Sequence, residues 1–329
     1  MKNTFDPFAS EIIANPYPAL ARLRAVEPVS WNEPLGGWLL TAYDDVKTAQ
    51  KDRRFSAERV KPFTSHMAAT KRPELERMGI LLNQWLLFRD PPAHTPLRRL
   101  LIDTFTPRAI NALRPRIGEI VTELLSPLSA RDQFDMIGDF AFPMPATVIA
   151  HVLGVPSSDV PKFRSWSNDL ATVIGNSRQV PDRFERGARA LFTLTDYFRS
   201  TVLQRSNERK KGALVDDLIS AREAGGPMSE EELVASCILI LFAGHETTMN
   251  LIGNATLLLL KHRNQLALLR DDPNLVSSMV EEVLRYECAA FVIVRVADED
   301  IEIGGKTIAK GDRVFLMLGA ANRDPMHFD

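Results

Sequence analysis

The stretch that most constrains this fold runs from Ser229 to about Arg263, roughly 35 residues of helical sequence with its own start and stop signals. Ser229-Glu230-Glu231-Glu232 reads as a capping box, in which the Ser229 and Glu232 side chains each satisfy the other's backbone N–H. The acids suit the positive helix start, and Lys261-His262-Arg263 suit the negative end. At 1.5 Å per residue the element spans roughly 50 Å. It is apolar on most faces, which predicts a central buried helix. Its longest apolar stretch, Leu233 to Gly244, is interrupted by Ser236 and falls short of the about 20 residues that cross a bilayer. No membrane partner is therefore expected.

The middle of this helix breaks local rules. Ala243-Gly244-His245-Glu246-Thr247-Thr248 places a glycine, which costs about 1 kcal/mol relative to alanine, beside polar groups on an apolar face. Such a conflict marks a candidate functional site. A zinc-protease reading fails, because the second histidine would fall at 249, which is methionine. On the residues alone, a kinked helix whose polar groups are satisfied locally stands level with a functional reading.

The rest of the chain supports a mainly α class with a minor β part. Pro18 to Ala25 reads as a helix. Val29–Asn32 and Gly37–Thr41 read as a strand pair around Pro34-Leu35-Gly36. Asp44 to Lys51 is a short helix, and residues 56 to 88 read as a long loop with short helical turns, a feature that is often functional. From about 94 to 288 the pattern is helical, ending with Leu275 to Tyr286. Phe291–Val296, Ile301–Ile303, Lys306–Ile308 and Val314–Leu318 then read as strands, with Gly304-Gly305 as a two-residue hairpin turn. No repeat or linker divides the chain, which predicts one domain over residues 1–329.

Charge and cysteine content exclude several classes. Forty Lys+Arg against 42 Asp+Glu leave a net charge of -2, so no chain-wide surface exists for neutralising nucleic-acid phosphates. Two cysteines, Cys237 and Cys288, cannot build a disulfide framework or a four-cysteine zinc site. The N-terminus carries no secretory signature, and a cytoplasmic monomer is expected.

Four motifs in order resemble one family. Ala243-Gly244-His245-Glu246-Thr247-Thr248 resembles the oxygen-activation motif of the cytochrome P450 haem-thiolate monooxygenases, soluble bacterial type. Asp90-Pro91-Pro92-Ala93-His94-Thr95-Pro96-Leu97-Arg98-Arg99 resembles the haem-propionate helix. Glu282-Val283-Leu284-Arg285 resembles the Glu-x-x-Arg helix. Arg295 resembles the second propionate arginine, and Ala321-Asn322-Arg323-Asp324-Pro325 the segment that follows. The likeness covers essentially the whole chain.

The resemblance implies a cytochrome P450 fold and a b-type haem (heme b). It implies one oxygen atom of dioxygen inserted into a small organic substrate, and electrons from NAD(P)H through ferredoxin and ferredoxin reductase. Glu246 and Thr247 take catalytic roles: Thr247 holds the bound oxygen and Glu246 couples it to solvent protons. Ala243 and Gly244 belong to the cofactor site, with Gly244 letting the backbone approach the iron ligand. The Thr247 hydroxyl is expected to bond the Ala243 carbonyl. His94, Arg98 and Arg295 hold the propionates. Two helix starts compete at the first of these: His94 and Arg98 share a face if the helix begins near Asp90, whereas Pro96 suits a first helical position after a Thr95 cap. Glu282 and Arg285 form a structural pair, buried in the family and completed by a partner beyond residue 329.

The family's ligand cysteine lies in a Phe/Gly-rich loop downstream of the Asn-Arg-Asp-Pro segment, and the chain ends before it. No metal ligand is assigned to Cys237 or Cys288, and the expectation is a fragment or truncated relative. The alternative is a non-catalytic helical protein binding an apolar ligand or haem. For a substrate, the places to look are Met67, Leu81, Leu82, Trp85, Leu86, Leu170 to Ile174, Leu239 and Ala289 to Ile293. These are mostly apolar, which favours a hydrophobic molecule. Arg99, Arg108, Arg114 and Arg116 lie close to Arg98 with Asp103 as the one nearby acid. They suggest a basic dock for an acidic ferredoxin.

Overall fold

In a computed structural model, which describes residues 5–60, 72–175, 180–208 and 213–328, the long helix forms over Glu230–Lys261. It starts as its sequence predicts. The Ser229 N–H donates to Glu232 Oε2 at 2.8 Å, and the Glu232 N–H donates to Ser229 Oγ at 3.1 Å. The chain divides into two compact units: Val60–Gly253, and Met1–Arg59 with Asn254–Asp329.

The core of the Val60–Gly253 unit is built on the first half of the long helix. Leu233, Val234, Cys237, Ile238, Leu241 and Phe242 are buried there among Leu75, Met78, Trp85, Phe163, Leu191 and Phe198. Around them run the helices Pro73–Leu82, His94–Thr104, Pro143–Leu153, Val160–Ile174, Arg183–Glu208 and Leu214–Glu223. The helix Pro73–Leu82 corrects the expectation of a loop over 56–88. Its signals are present in the sequence: Pro73 at the start, Glu74 and Glu76 in the first turn, and Leu75, Met78, Gly79 and Leu82 buried at helical spacing. Residues 61–71 of that stretch, with Met67, lie outside the described residues.

Two helical stretches, Met136–Leu153 and Glu230–Lys261, are long and apolar enough to cross a membrane by length and composition. The sequence expectation judged the long helix by its shorter uninterrupted run. Its apolar residues up to Phe242 are committed to the core just described.

The other unit carries the β structure. Strands β1 (Val29–Asn32), β2 (Gly37–Leu40), β3 (Phe55–Ser56), β4 (Ile293–Ala297) and β7 (Arg313–Leu316) form a sheet in the order β1-β2-β7-β4-β3. The β2–β7 pair is parallel, Leu39 lying opposite Phe315, and the others are antiparallel. Joining the N-terminal hairpin to C-terminal strands is a long-range pairing that local pattern does not carry. Strands β5 (Ile301–Ile303) and β6 (Lys306–Ile308) form the predicted hairpin. Its turn residues Gly304 and Gly305 have φ of 56° and 71°, the left-handed region a two-residue turn of this kind demands. Helix Tyr17–Val26 precedes β1, helix Tyr43–Lys51 lies between β2 and β3, and helices Arg263–Asp271 and Val276–Tyr286 follow the long helix.

Candidate active site

On the long helix, four polar side chains satisfy themselves on their own helix, each four residues back. Ser236 donates to Glu232 O at 2.7 Å, Thr247 to Ala243 O at 2.9 Å and Thr248 to Gly244 O at 3.2 Å. His245 Nδ1 lies 2.6 Å from Leu241 O, a contact that requires the proton on Nδ1. The Thr247 bond is the one its spacing predicts. His245 is buried, with its ring edge-on to Phe142 at 5.7 Å, and burial pushes its pKa down, so it is neutral. It is a satisfied core residue and offers the site no charge.

Ala243 and Thr247 behave differently. They are four residues apart, hence on one face, and both are exposed on a helix whose preceding turns are buried. Between them Glu246 is half-buried, and burial alone raises its carboxyl above the usual range. Among the described residues it has neither a cationic partner nor a hydrogen-bond donor to hold it ionised. A carboxyl shifted toward neutrality beside an exposed hydroxyl is suited to taking and giving protons.

The expectation for Gly244 needs correction. A Cβ built there would lie 2.5 Å from Ile149 Cδ1, on the helix Pro143–Leu153. The missing side chain permits close helix packing, and the face open to a ligand is the one with Ala243 and Thr247. Gly253 meets Ile137 in the same way, at 2.7 Å.

At the second motif the helix His94–Thr104 resolves the competing starts. The His94 N–H donates to Asp90 O at 3.0 Å, so helical bonding already begins at Asp90. Pro96 falls in the first turn, where its missing N–H costs nothing. His94 and Arg98 therefore stand one turn apart on one face. The imidazole is half-buried and held below its usual range, chiefly by burial and then by the Arg98 guanidinium. Arg98, Arg99, Arg108 and Arg114 are exposed and, among the described residues, in no ion pair. Arg116 is committed instead to Glu119 and Glu123, at 2.9 Å each.

In the sheet unit, Arg295 lies on β4 opposite Val314 and donates to Val294 O at 3.1 Å. Sequence reasoning passed over Arg59, three residues beyond β3, the strand paired with β4. Burial and the Arg295 guanidinium lower its pKa to about 10. Like charges that oppose one another in a sheltered place favour a negative group nearby. The signal was available only as an arginine near a short edge strand.

Glu282 and Arg285 pair as predicted, with Arg285 Nη2 to Glu282 Oε1 at 2.6 Å. In residues 1–329 the Glu282 side chain is 59% exposed and that of Arg285 21%. Arg285 finds a further acceptor inside the chain, the Asn322 carbonyl, at 2.7 Å. Of the substrate-facing candidates, Leu82, Trp85, Leu86 and Leu170 are core residues, while Leu81, Ala171, Val173, Ile174 and Leu239 are only partly buried against that core. Ala290 and Val292 are exposed.

Within the Val60–Gly253 unit, the exposed Ala243–Thr247 face and the His94 and Arg98 side chains one turn apart at a helix start are groups that suit a haem's oxygen face and a propionate. Neither cysteine suits a thiolate ligand. Cys237 is fully buried and its thiol is pushed up to about 12, and burial likewise raises Cys288. Among the described residues no cluster of three or more His, Cys, Asp or Glu side chains could hold a metal ion.

A long helix with an exposed Ala243–Thr247 face, preceded by a His-x-x-x-Arg helix and followed by Glu-x-x-Arg, matches the motif order of the haem monooxygenases. Comparison with known proteins gives the family: residues 39–329 match the Cytochrome P450 model, and the chain belongs to that family. It is 38% identical over 322 residues to the biotin biosynthesis cytochrome P450 of Bacillus subtilis (strain 168), covering 97% of this chain and 79% of that protein. It is 39% identical over 323 residues to the vitamin D(3) 25-hydroxylase of Pseudonocardia autotrophica, covering 97% and 76%. Among solved structures, P450BioI in complex with hexadec-9Z-enoic acid ligated acyl carrier protein superposes with a TM-score of 0.89 at 37% identity, over 97% of this chain and 81% of that one. By family resemblance the protein is a haem-dependent monooxygenase, and relatives named for their reactions do not favour the non-catalytic alternative.

Proposed function

We propose that the protein hydroxylates a small hydrophobic molecule, using a b-type haem and electrons passed from NAD(P)H by a ferredoxin reductase and a ferredoxin. When bound, the haem supplies the reduction of dioxygen and the transfer of one oxygen atom. His94 and Arg98 bind one propionate, and Arg295 with Arg59 binds the other. Ala243 leaves room on the oxygen face. Thr247 presents its hydroxyl there, donating its proton to the Ala243 carbonyl and leaving an Oγ1 lone pair to hold a group bound on that face. Glu246 couples the site to solvent protons through its carboxyl, which burial keeps easier to protonate at neutral pH than an exposed glutamate.

The observation that carries the reading is the exposed Ala243–Thr247 pair on the long helix, with Glu246 beside it. A hydrophobic substrate is supported by partly buried Leu81, Val173, Ile174 and Leu239. Relatives named for vitamin D3 hydroxylation and crystallised with an acyl carrier protein loaded with a fatty acid point the same way. The acidic-ferredoxin dock is supported by the uncommitted Arg99 and Arg108. We place the protein in the cytoplasm as a single cytochrome P450 domain acting as a monomer.

Thr247→Ala in an intact version of the protein, carrying the ligand-cysteine loop and loaded with haem, tests the catalytic reading. Haem content and substrate binding should persist while reducing equivalents are diverted to hydrogen peroxide. An unchanged ratio of product formed to NADH consumed refutes the role of Thr247.

A further inference from the structure

The segment between the helices Pro73–Leu82 and His94–Thr104 has one short turn of its own, Leu86–Phe88, and otherwise no regular structure. It is fastened to the long helix at two points. The first is aromatic: Trp85 is fully buried, 5.9 Å from the Phe242 ring and stacked on Phe88 at 6.0 Å. The second is ionic and lies ten residues nearer the helix start, roughly 15 Å along the axis. There Arg89 Nη1 donates to Glu232 Oε1 at 2.5 Å.

Arg89 also ties the segment to itself. Its Nε donates to Asn83 O at 2.9 Å, and its Nη2 to Gln84 Oε1 at 2.5 Å. A planar guanidinium with every nitrogen engaged has one orientation available. The Arg89 and Glu232 side chains are only 13% and 17% exposed, so water does little to replace either partner. Glu232 serves twice: Oε2 closes the capping box on the Ser229 N–H while Oε1 receives Arg89. The residue after Arg89 is Asp90, whose carbonyl accepts the His94 N–H and opens the first turn of the next helix.

We propose that Arg89 and Glu232 form a positioning clamp that fixes where the His94 helix begins, and so how firmly His94 and Arg98 hold a haem propionate. This rests on the propionate reading above. Neither residue touches the haem in this scheme; both act through Asp90 and the first helical turn.

The test uses Arg89→Ala, Glu232→Gln, the double variant and His94→Ala, all in the intact protein that carries the ligand-cysteine loop and is loaded with haem. Glutamine serves in a capping box as glutamate does, so Glu232→Gln removes the clamp's charge and leaves the cap. Haem transfer to apomyoglobin, amide hydrogen exchange at residues 90–98 and the melting midpoint are read for each. Each clamp variant should speed haem transfer about tenfold, the scale of a lost charge-assisted hydrogen bond. The double variant should add little more, because both changes break one interaction. Exchange at the His94 amide should rise in all three. Additive single effects, or a lowered melting midpoint with haem transfer unaltered, would overturn the clamp. If His94→Ala leaves haem transfer unchanged, the propionate reading has failed on its own. The clamp is then judged by exchange alone: unchanged protection of the His94 amide in Arg89→Ala refutes it.

Discussion

Gly244→Ala separates two uses of the glycine in the oxygen-side motif. If it faces a ligand, a methyl group there disturbs ligand binding. If it packs against Ile149, the methyl disturbs stability. The added Cβ would lie 2.5 Å from Ile149 Cδ1 and 2.8 Å from Cγ1, where carbon contacts normally fall at about 3.5–4.0 Å. Cδ1 ends the side chain and can swing away. Cγ1 can move only by leaving the χ1 rotamer a β-branched residue strongly prefers in a helix. Overpacking of this kind costs about 1–3 kcal/mol, and alanine regains about 1 kcal/mol of helix propensity over glycine. The balance is a loss of about 1 kcal/mol. Truncating the neighbour, Ile149→Ala, removes both Cγ1 and Cδ1 and costs about 2–5 kcal/mol alone, but in the double variant the new methyl occupies part of the vacated space. The double variant should therefore be at least as stable as Ile149→Ala. Urea unfolding followed by far-ultraviolet circular dichroism reads the cycle. Gly244→Ala gaining the full propensity increment, or strictly additive effects, refutes the packing account. Unaltered carbon monoxide binding by Gly244→Ala in the intact, haem-loaded protein with its ligand loop is expected in parallel.

Glu246→Gln should raise stability at neutral pH and slow turnover. Burial raises the folded-state carboxyl pKa, so between the unfolded and folded values the native state holds more proton, and native stability falls as pH rises through that window. Urea midpoints measured from pH 4 to pH 8 should fall less steeply for the glutamine variant; parallel curves reject the shift. Arg59→Met should weaken haem retention about as much as Arg295→Met, since both guanidiniums are assigned to one anion; haem transfer rates unaffected by Arg59→Met remove it from the site. Charge reversal at Arg99 and Arg108 should slow reduction by an acidic ferredoxin at low salt, with the difference fading as salt rises. Equal rates at low salt reject the dock.

Local signals read correctly where the physics is local. The capping box at Ser229 and Glu232, the Gly304-Gly305 turn and the Thr247–Ala243 bond each involve atoms within four residues of one another, so a short window of sequence holds the whole interaction. The loop expected over 56–88 was the exception, because Pro73, Glu74 and Glu76 start a helix whose apolar face is only ten residues long. The sheet was legible as strands and illegible as a sheet. Nothing near Leu39 says that its neighbour is Phe315, since parallel pairing carries no connecting turn from which a register could be read.

The candidate site shows the same division in its chemistry. Motif spacing put Thr247 beside Ala243 and His94 one turn from Arg98, because helical geometry converts spacing into a shared face. It could not tell which face of Gly244 is used, since that depends on Ile149, nearly a hundred residues earlier. Arg59 gains significance only through β3 lying beside β4, and Arg89 only through Glu232. In both cases an ordinary arginine acquires a role from a partner more than a hundred residues away. Glu232 makes the point within one carboxylate: the oxygen that caps its own helix was predicted, and the oxygen that receives Arg89 was not. Residues that a short motif cannot announce are therefore to be sought among charges whose partners are distant in sequence and sheltered from water. There a lost partner is not replaced by solvent, and substitution has a measurable effect.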